Sequence, residues 1–274
     1  MSLDTVALVQ FDPTVGPADD GTLERLCDRI RTVGAESEPD LIVFPELATT
    51  GYSIFDRVDA YAQPVPGPTT RAVGDAAADA GAHVLLGMAV RDECGVRNSA
   101  VWLDRSGAVR ARYDKRNLWG DERPVFRSGD DVLVLECEGR TIGVQICYDL
   151  NFPQQAAAFA RAEIDALVNL SAWSVPMAGD WNRLLPARAI ETGAYVFGCN
   201  RAGADGDLEL YGHSTAYEPD GSIAGRLDAD PGVLVTQLSD GPLERERERN
   251  PMRRDRRDDR PVTTRITIDS PGDT

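Results

Sequence analysis

Short β-branched runs alternate with stretches of helical spacing along most of this chain, and that alternation admits few architectures. Strand-like runs lie at 5–11, 41–44, 83–90, 99–103, 141–146, 166–170 and 194–199. Between several of them, 21–33 repeats apolar residues at helical spacing and 69–80 is rich in alanine. Residues 153–162 begin with proline, whose missing N–H costs nothing in a first helical turn. The pattern predicts an α/β layered fold. A hairpin-like turn at 104–107 brings antiparallel neighbours, so the sheets are expected to be mixed. The last third continues with strands at 212–217, 222–227 and 233–237 and a turn at Pro219-Asp220-Gly221. At 274 residues the chain can bury one large core without being forced to split.

The formal charge is −16 and the sequence pI about 4.5; such a surface repels nucleic-acid phosphates and anionic membranes, so neither is expected as a partner. An acidic surface suits a high-salt cytoplasm, where counterions screen self-repulsion, and equally serves to keep any protein soluble. The amino end, MSLDTVALVQF, has no basic leader, and no run approaches the roughly 20 apolar residues that span a bilayer, so a cytoplasmic protein is expected. The five cysteines, Cys27, Cys94, Cys137, Cys147 and Cys199, are odd in number and unpaired in spacing, which argues against a disulfide framework. With no CxxC and only His83 and His213 as histidines, neither a metal nor another cofactor is expected. After Asp240 the composition changes, and 244–260 holds eight arginines and six acids. Residues 1–240 therefore read as the domain and 241–274 as a charged tail, flexible or draped on the surface, or reaching a partner subunit as an arm.

Three segments bear chemistry. In TIGVQICYDLNFP (141–153) an apolar strand ends abruptly at Cys147 before a proline-started helix. A nucleophile at such a turn stands above the sheet edge, where backbone N–H groups can face an oxyanion, although a cysteine ending an apolar strand is more often an inert thiol. In LIVFPELATTGY (41–52) a strand runs into Glu46, a partly desolvated carboxylate that suits a general base, or simply an acid at a helix start. YDKRNLWGDERPVFRSG (113–129) carries Lys115, Trp119 and Glu122, and closes at Gly129. A lysine aimed at a carbonyl stabilises negative charge, with Glu122 to hold it, yet most charged loops are merely solvated.

Taken together and in order, FPELATTGY, DKRNLWGDERPVFRSG and ICYDLNFP resemble the glutamate, lysine and cysteine motifs of the nitrilase superfamily, whose members hydrolyse nonpeptide carbon–nitrogen bonds. NLSAW (169–173), DWNRLLPARAIETGAYVFGCNR (180–201) and YGHSTAYEPDG (211–221) are similar to its later signatures, so the resemblance spans about 6–237. It implies an αββα sandwich with mixed sheets and a homodimer or higher homo-oligomer paired through helices 153–162 and 180–192. It also implies Cys147 as nucleophile, Glu46 as general base, Lys115 as cationic stabiliser and Glu122 as a second glutamate. Tyr148 would supply an oxyanion-hole N–H, and Tyr52, Trp119, Tyr148 and Trp173 would contact the substrate. The expected reaction is hydrolysis of a small linear amide through a cysteine thioester, releasing ammonia or an amine. N-carbamoyl hydrolysis, nitrile hydrolysis and a catalytically silent interaction protein are the alternatives. Tyr148-Asp149 after the cysteine resembles the amidase-type branches, whereas nitrile-cleaving members usually carry tryptophan and glutamate there. Asn151 and Gln154 replace an arginine and a glutamate of many relatives, so any substrate contact those charges make is absent. A cysteine–histidine mechanism would need His83, which opens an apolar strand, or His213, which matches a positioning segment, and neither is expected to serve.

Overall fold

In the computed structural model, which describes residues 2–17 and 21–257, the strands assemble into two six-stranded sheets and one short hairpin. β1 (Thr5–Gln10), β2 (Leu41–Val43), β3 (His83–Asp92), β4 (Gly95–Leu103) and β5 (Val109–Asp114) belong to the first sheet. β6 (Leu133–Cys137), β7 (Arg140–Ile146), β8 (Ala166–Ser171) and β9 (Tyr195–Asn200) start the second, and β10 (Ala204–Asp205) and β11 (Leu208–Glu209) form the hairpin. β12 (Thr215–Tyr217) and β13 (Ile223–Arg226) complete the second sheet, while β14 (Gly232–Gln237) returns to the first. The orders are β14-β1-β2-β3-β4-β5 and β13-β12-β9-β8-β7-β6. β1-β2-β3 and β7-β8-β9 are parallel and the flanking pairs antiparallel, so both sheets are mixed, as the hairpin at 104–107 required.

Layering follows from which face of each strand is apolar. Ala7, Val9, Ile42, Phe44, Val84 and Leu86 meet the apolar stripe of α1 (Thr22–Ser37), with Leu26, Ile30 and Val33, and of α3 (Pro68–Ala80), with Val73, Ala76 and Ala77. The alternate residues Val6, Leu8, Leu41, Val43 and Leu85 face the second sheet through Ile142, Val144 and Ile146. The outer side of that sheet is covered by α4 (Pro153–Arg161) and α5 (Ala178–Thr192), through Phe159, Trp181, Leu185 and Ala189. The result is the αββα sandwich that the resemblance implied. α2 (Val58–Tyr61) is one short turn between β2 and α3. Among the described residues no helix is long and apolar enough to cross a membrane.

The chain beyond residue 239 folds onto this body. α6 (Asp240–Arg249) buries Leu243 and Glu246, and α7 (Met252–Asp255) follows. Arg247 pairs with Asp165 at 2.7 Å, and Arg253 donates to the carbonyls of Thr192 and Gly193 at the end of α5, where a cation complements the helix dipole. Residues 258–274, the end of the charged segment, lie outside the described residues.

Candidate active site

β7 delivers Cys147 at its carboxyl end, as the first residue of a 3₁₀ turn (Cys147–Asn151) that leads into Pro153 and α4. Its φ is +47°, a conformation costly for a residue with a Cβ, which survives only where the surroundings over-determine it. They do so here. The Cys147 N–H donates to Asn169 Oδ1 (3.0 Å), which also receives the Ser171 hydroxyl (2.7 Å). Fully buried Asp149 accepts the Tyr113 hydroxyl (2.7 Å), both donors of Asn117 (2.8 and 2.9 Å) and the Ile146 N–H (3.2 Å). Burial raises the Asp149 carboxyl above its ordinary value, against the pull of the Tyr113 hydrogen bond.

Three charged side chains meet with no solvent exposure. Glu46 follows β2, Lys115 follows β5, and Glu122 ends a 3₁₀ turn (Gly120–Glu122). Lys115 Nζ stands 2.7 Å from Glu46 Oε1 and 2.6 Å from Glu122 Oε1. Burial alone would push the Lys115 ammonium down, but Glu122 and Glu46 together hold it well above its usual value. Burial raises the Glu122 carboxyl, Lys115 opposes, and Glu46 adds to the rise. The Cys147 thiol is driven well above its ordinary value by burial and by Glu46, with Lys115 working against them, so it rests as a neutral thiol.

The carboxylates are fully partnered. Glu46 also accepts Asn98 Nδ2 (2.7 Å) and the Ala172 N–H (2.9 Å), while Glu122 accepts the Tyr52 hydroxyl (2.9 Å) and the Trp119 N–H (2.8 Å). Burial keeps the Tyr52 phenol protonated, so it remains a donor. Two glycines let backbones approach closely enough to set this up. A Cβ on Gly87 would lie 2.2 Å from Pro45 O and 2.7 Å from Glu46 Cα, and one on Gly129 would lie 2.2 Å from Asp114 O, beside Lys115.

Cys147 opens into a cavity of about 80 Å³ lined also by Tyr52, Trp119, Tyr148 and Trp173, the four aromatic residues expected there. Ala172, Ser174, Met177 and Leu208 complete the wall. Trp119 packs edge-on against Tyr148 (4.7 Å between centroids), Tyr148 against Phe152 (5.1 Å), and Trp173 Nε1 donates to Met177 O (2.7 Å). Asp205, paired with fully buried Arg201, accepts the N–H groups of Tyr52 (2.6 Å) and Ser53 (2.9 Å) and so pins the loop behind Glu46. A larger groove of about 680 Å³ runs between α4, α5, α6 and α7, but it holds none of these charged or nucleophilic side chains.

The structure thus places the eight expected site residues in one constellation: Glu46, Lys115 and Glu122 together, and Cys147 with Tyr52, Trp119, Tyr148 and Trp173 around the cavity. Asn98 was not singled out, and Asp149, Asn169 and Ala172 stood out only as members of the motifs ICYDLNFP and NLSAW, because each acts on a partner distant in the chain that only the fold brings near. His83 lies at the opposite end of the parallel β2–β3 pair from Glu46, between Trp102 Nε1 (3.3 Å) and Glu138 (3.1 Å). His213 contacts Leu227 O (3.0 Å) and Tyr211, and neither histidine lines the cavity. Among the described residues no group of three or more His, Cys, Asp or Glu side chains is placed to hold a metal ion.

The chain has relatives of known kind. It is 34% identical over 218 residues to the omega-amidase of Escherichia coli, covering 77% of this chain and 82% of that one. The crystal structure of a CN-hydrolase superfamily protein from Xanthomonas campestris, with an arsenic adduct in its active site, superposes with a TM-score of 0.86 at 29% identity, covering 96% of this chain and 100% of that chain. A variant of the amidase from Nesterenkonia sp. AN1 in complex with butyramide gives a TM-score of 0.76 at 27% identity, over 90% of this chain and 95% of that chain. A family profile described as carbon-nitrogen hydrolase matches residues 5–244, and with this fold and this constellation the chain belongs to the carbon-nitrogen hydrolases of the nitrilase superfamily.

Proposed function

We propose that the protein is an amidase that cleaves a small linear amide through a thioester on Cys147. The observation that carries this is the fully buried Glu46–Lys115–Glu122 cluster set behind a cysteine held at positive φ and open to a cavity. A neutral thiol needs a base, and general-base catalysis contributes roughly 10²–10⁴-fold. Glu46 takes the thiol proton as sulfur attacks the amide carbon. Lys115 and the Tyr148 N–H, which lies in the first turn of its 3₁₀ segment where backbone donors lack intrahelical acceptors, stabilise the oxyanion. The C–N bond then breaks, the leaving nitrogen takes the proton from Glu46, and ammonia or an amine departs. Water attacks the thioester and gives Glu46 a proton, which passes to the sulfur as the C–S bond breaks and the acid leaves. Glu122 keeps Lys115 charged and orients Tyr52.

The names of the omega-amidase and of the butyramide-bound amidase support an amide as the substrate class. So does Tyr148-Asp149, whose aspartate is built into the turn. All five cysteines are free of disulfides, which fits a reducing cytoplasm. Pairing of two copies across α4 and α5 is the expected assembly, and light scattering would test it. The activity is tested by ammonia release from aliphatic, ω-carboxylated and N-carbamoyl amides and from nitriles, with Cys147→Ala and Lys115→Ala alongside. Turnover by wild type, lost in both folded variants, is expected. Absence of turnover on every compound, with variants indistinguishable from wild type, would replace the amidase by a catalytically silent binding protein.

A further inference from the structure

Resting on that reading, we infer that the site accepts amides whose acyl group is uncharged and turns away amides whose acyl group carries a carboxylate. None of the side chains lining the cavity bears a charge: Tyr52, Trp119, Trp173, Met177 and Leu208 offer aromatic, thioether and alkyl surface. Immediately behind Cys147, two carboxylates share one ammonium, and both Glu46 and Glu122 already draw on Lys115. A substrate carboxylate would enter this pocket without a counter-cation and next to an excess of buried negative charge, so its hydration is lost and not replaced. A neutral acyl chain loses only water that the apolar wall also sheds. Arg116, Arg123 and Arg127 line a separate groove of about 520 Å³ that shares only Tyr148 with the cavity. The Tyr148 ring, common to both walls, packs against Trp119 of the cavity at 4.7 Å and Phe152 of the groove at 5.1 Å.

The test compares isosteric pairs in which an isopropyl group replaces a carboxylate: isovaleramide against malonamate, and 4-methylpentanamide against succinamate. Ammonia release is measured together with acylation of Cys147 by intact-protein mass spectrometry, in wild type and in an Arg116→Gln/Arg123→Gln/Arg127→Gln variant. The neutral member of each pair is expected to win by about 100-fold or more in kcat/KM, the scale set by an uncompensated buried charge. The same preference is expected in the arginine variant. Equal or better turnover of malonamate or succinamate overturns the inference, and its loss in the arginine variant would show the groove reading the carboxylate. If no compound releases ammonia or acylates Cys147, the amidase reading itself falls and this inference falls with it, an outcome separate from a preference for the anions.

Discussion

Replacing Lys115 by methionine keeps most of the unbranched stem of the side chain but removes the charge that two buried carboxylates share. Nζ lies 2.7 Å from Glu46 and 2.6 Å from Glu122, and all three side chains have no exposure, so neither water nor salt can take the place of the ammonium. Breaking a buried ion pair by removing one partner costs about 3–5 kcal/mol. For a domain of this size that corresponds to a fall in Tm on the order of 10 °C. The loss depends on pH with a definite sign. Burial and Glu46 already raise the Glu122 carboxyl, with Lys115 the opposing influence, so loss of the lysine raises it further. A group raised in the folded state is harmless below its unfolded value, near 4.5, and costs stability as pH climbs through its folded value. The Tm gap between wild type and Lys115→Met should therefore be small near pH 4.5 and widen toward pH 8, as read by circular dichroism melts in matched salt. Adding Glu122→Gln should recover a large part of the stability at pH 8 and flatten the pH dependence, while ammonia release stays absent. A gap that is constant with pH and indifferent to Glu122→Gln would show that lost packing, not stranded charge, is responsible, and the account of this cluster would be wrong.

Gly87→Ala should destabilise the fold by about 1–3 kcal/mol and depress turnover, since the added carbon meets Pro45 O at 2.2 Å and Glu46 Cα at 2.7 Å; urea unfolding and kcat measured together check it. Asp149→Asn puts an amide where four donors converge and should cost about 1–3 kcal/mol or more, with kcat falling further than KM rises, because the turn holding Cys147 loosens. Glu138 is held down to about 2, first by its hydrogen bonds to Arg105, from the usual 4.5. Its contribution to stability is therefore present above pH 4.5 and is lost as pH falls toward 2, so the difference in urea midpoint between wild type and Glu138→Gln should shrink on acidification and stay level between pH 6 and pH 8.

Central strands were legible, as were the edge strands β13 and β14, expected at 222–227 and 233–237, whereas the more charged edge strands were not. β1, β2, β7 and β8 are buried on both faces and appear as continuous apolar runs, so the expected spans at 5–11, 41–44, 141–146 and 166–170 meet the observed ones within a residue at every end. β5, with Arg110 and Arg112, and β6, with Glu136, lie on the other two sheet edges, where charged side chains interrupt the apolar pattern; the hairpin-like turn at 104–107 pointed to a strand in the place of β5 without giving its span, and β6 escaped notice. β4 begins at Gly95, four places ahead of the expected 99, because its pairing with β3 continues out to Asp92 beyond the buried part of the sheet. In the charged segment after residue 239, the periodicity is too polar to announce a helix, and α6 owes its place to Leu243 and to arginines that find carbonyls and Asp165 on the body.

By itself the amino-acid sequence determined the alternation that demands layered sheets, the residues able to do acid, base and nucleophilic chemistry, and their place just beyond the ends of strands. Those are local properties: side-chain type, apolar spacing and the turn residues that stop a strand. Tertiary structure alone decided that Glu46, Lys115, Glu122 and Cys147, drawn from both sheets, share one buried volume, and that Asn98, Asp149, Asn169 and the Ala172 N–H hold them there. Burying these charges requires partners for them, and here those partners come from strands brought side by side by the register of two sheets packed face to face.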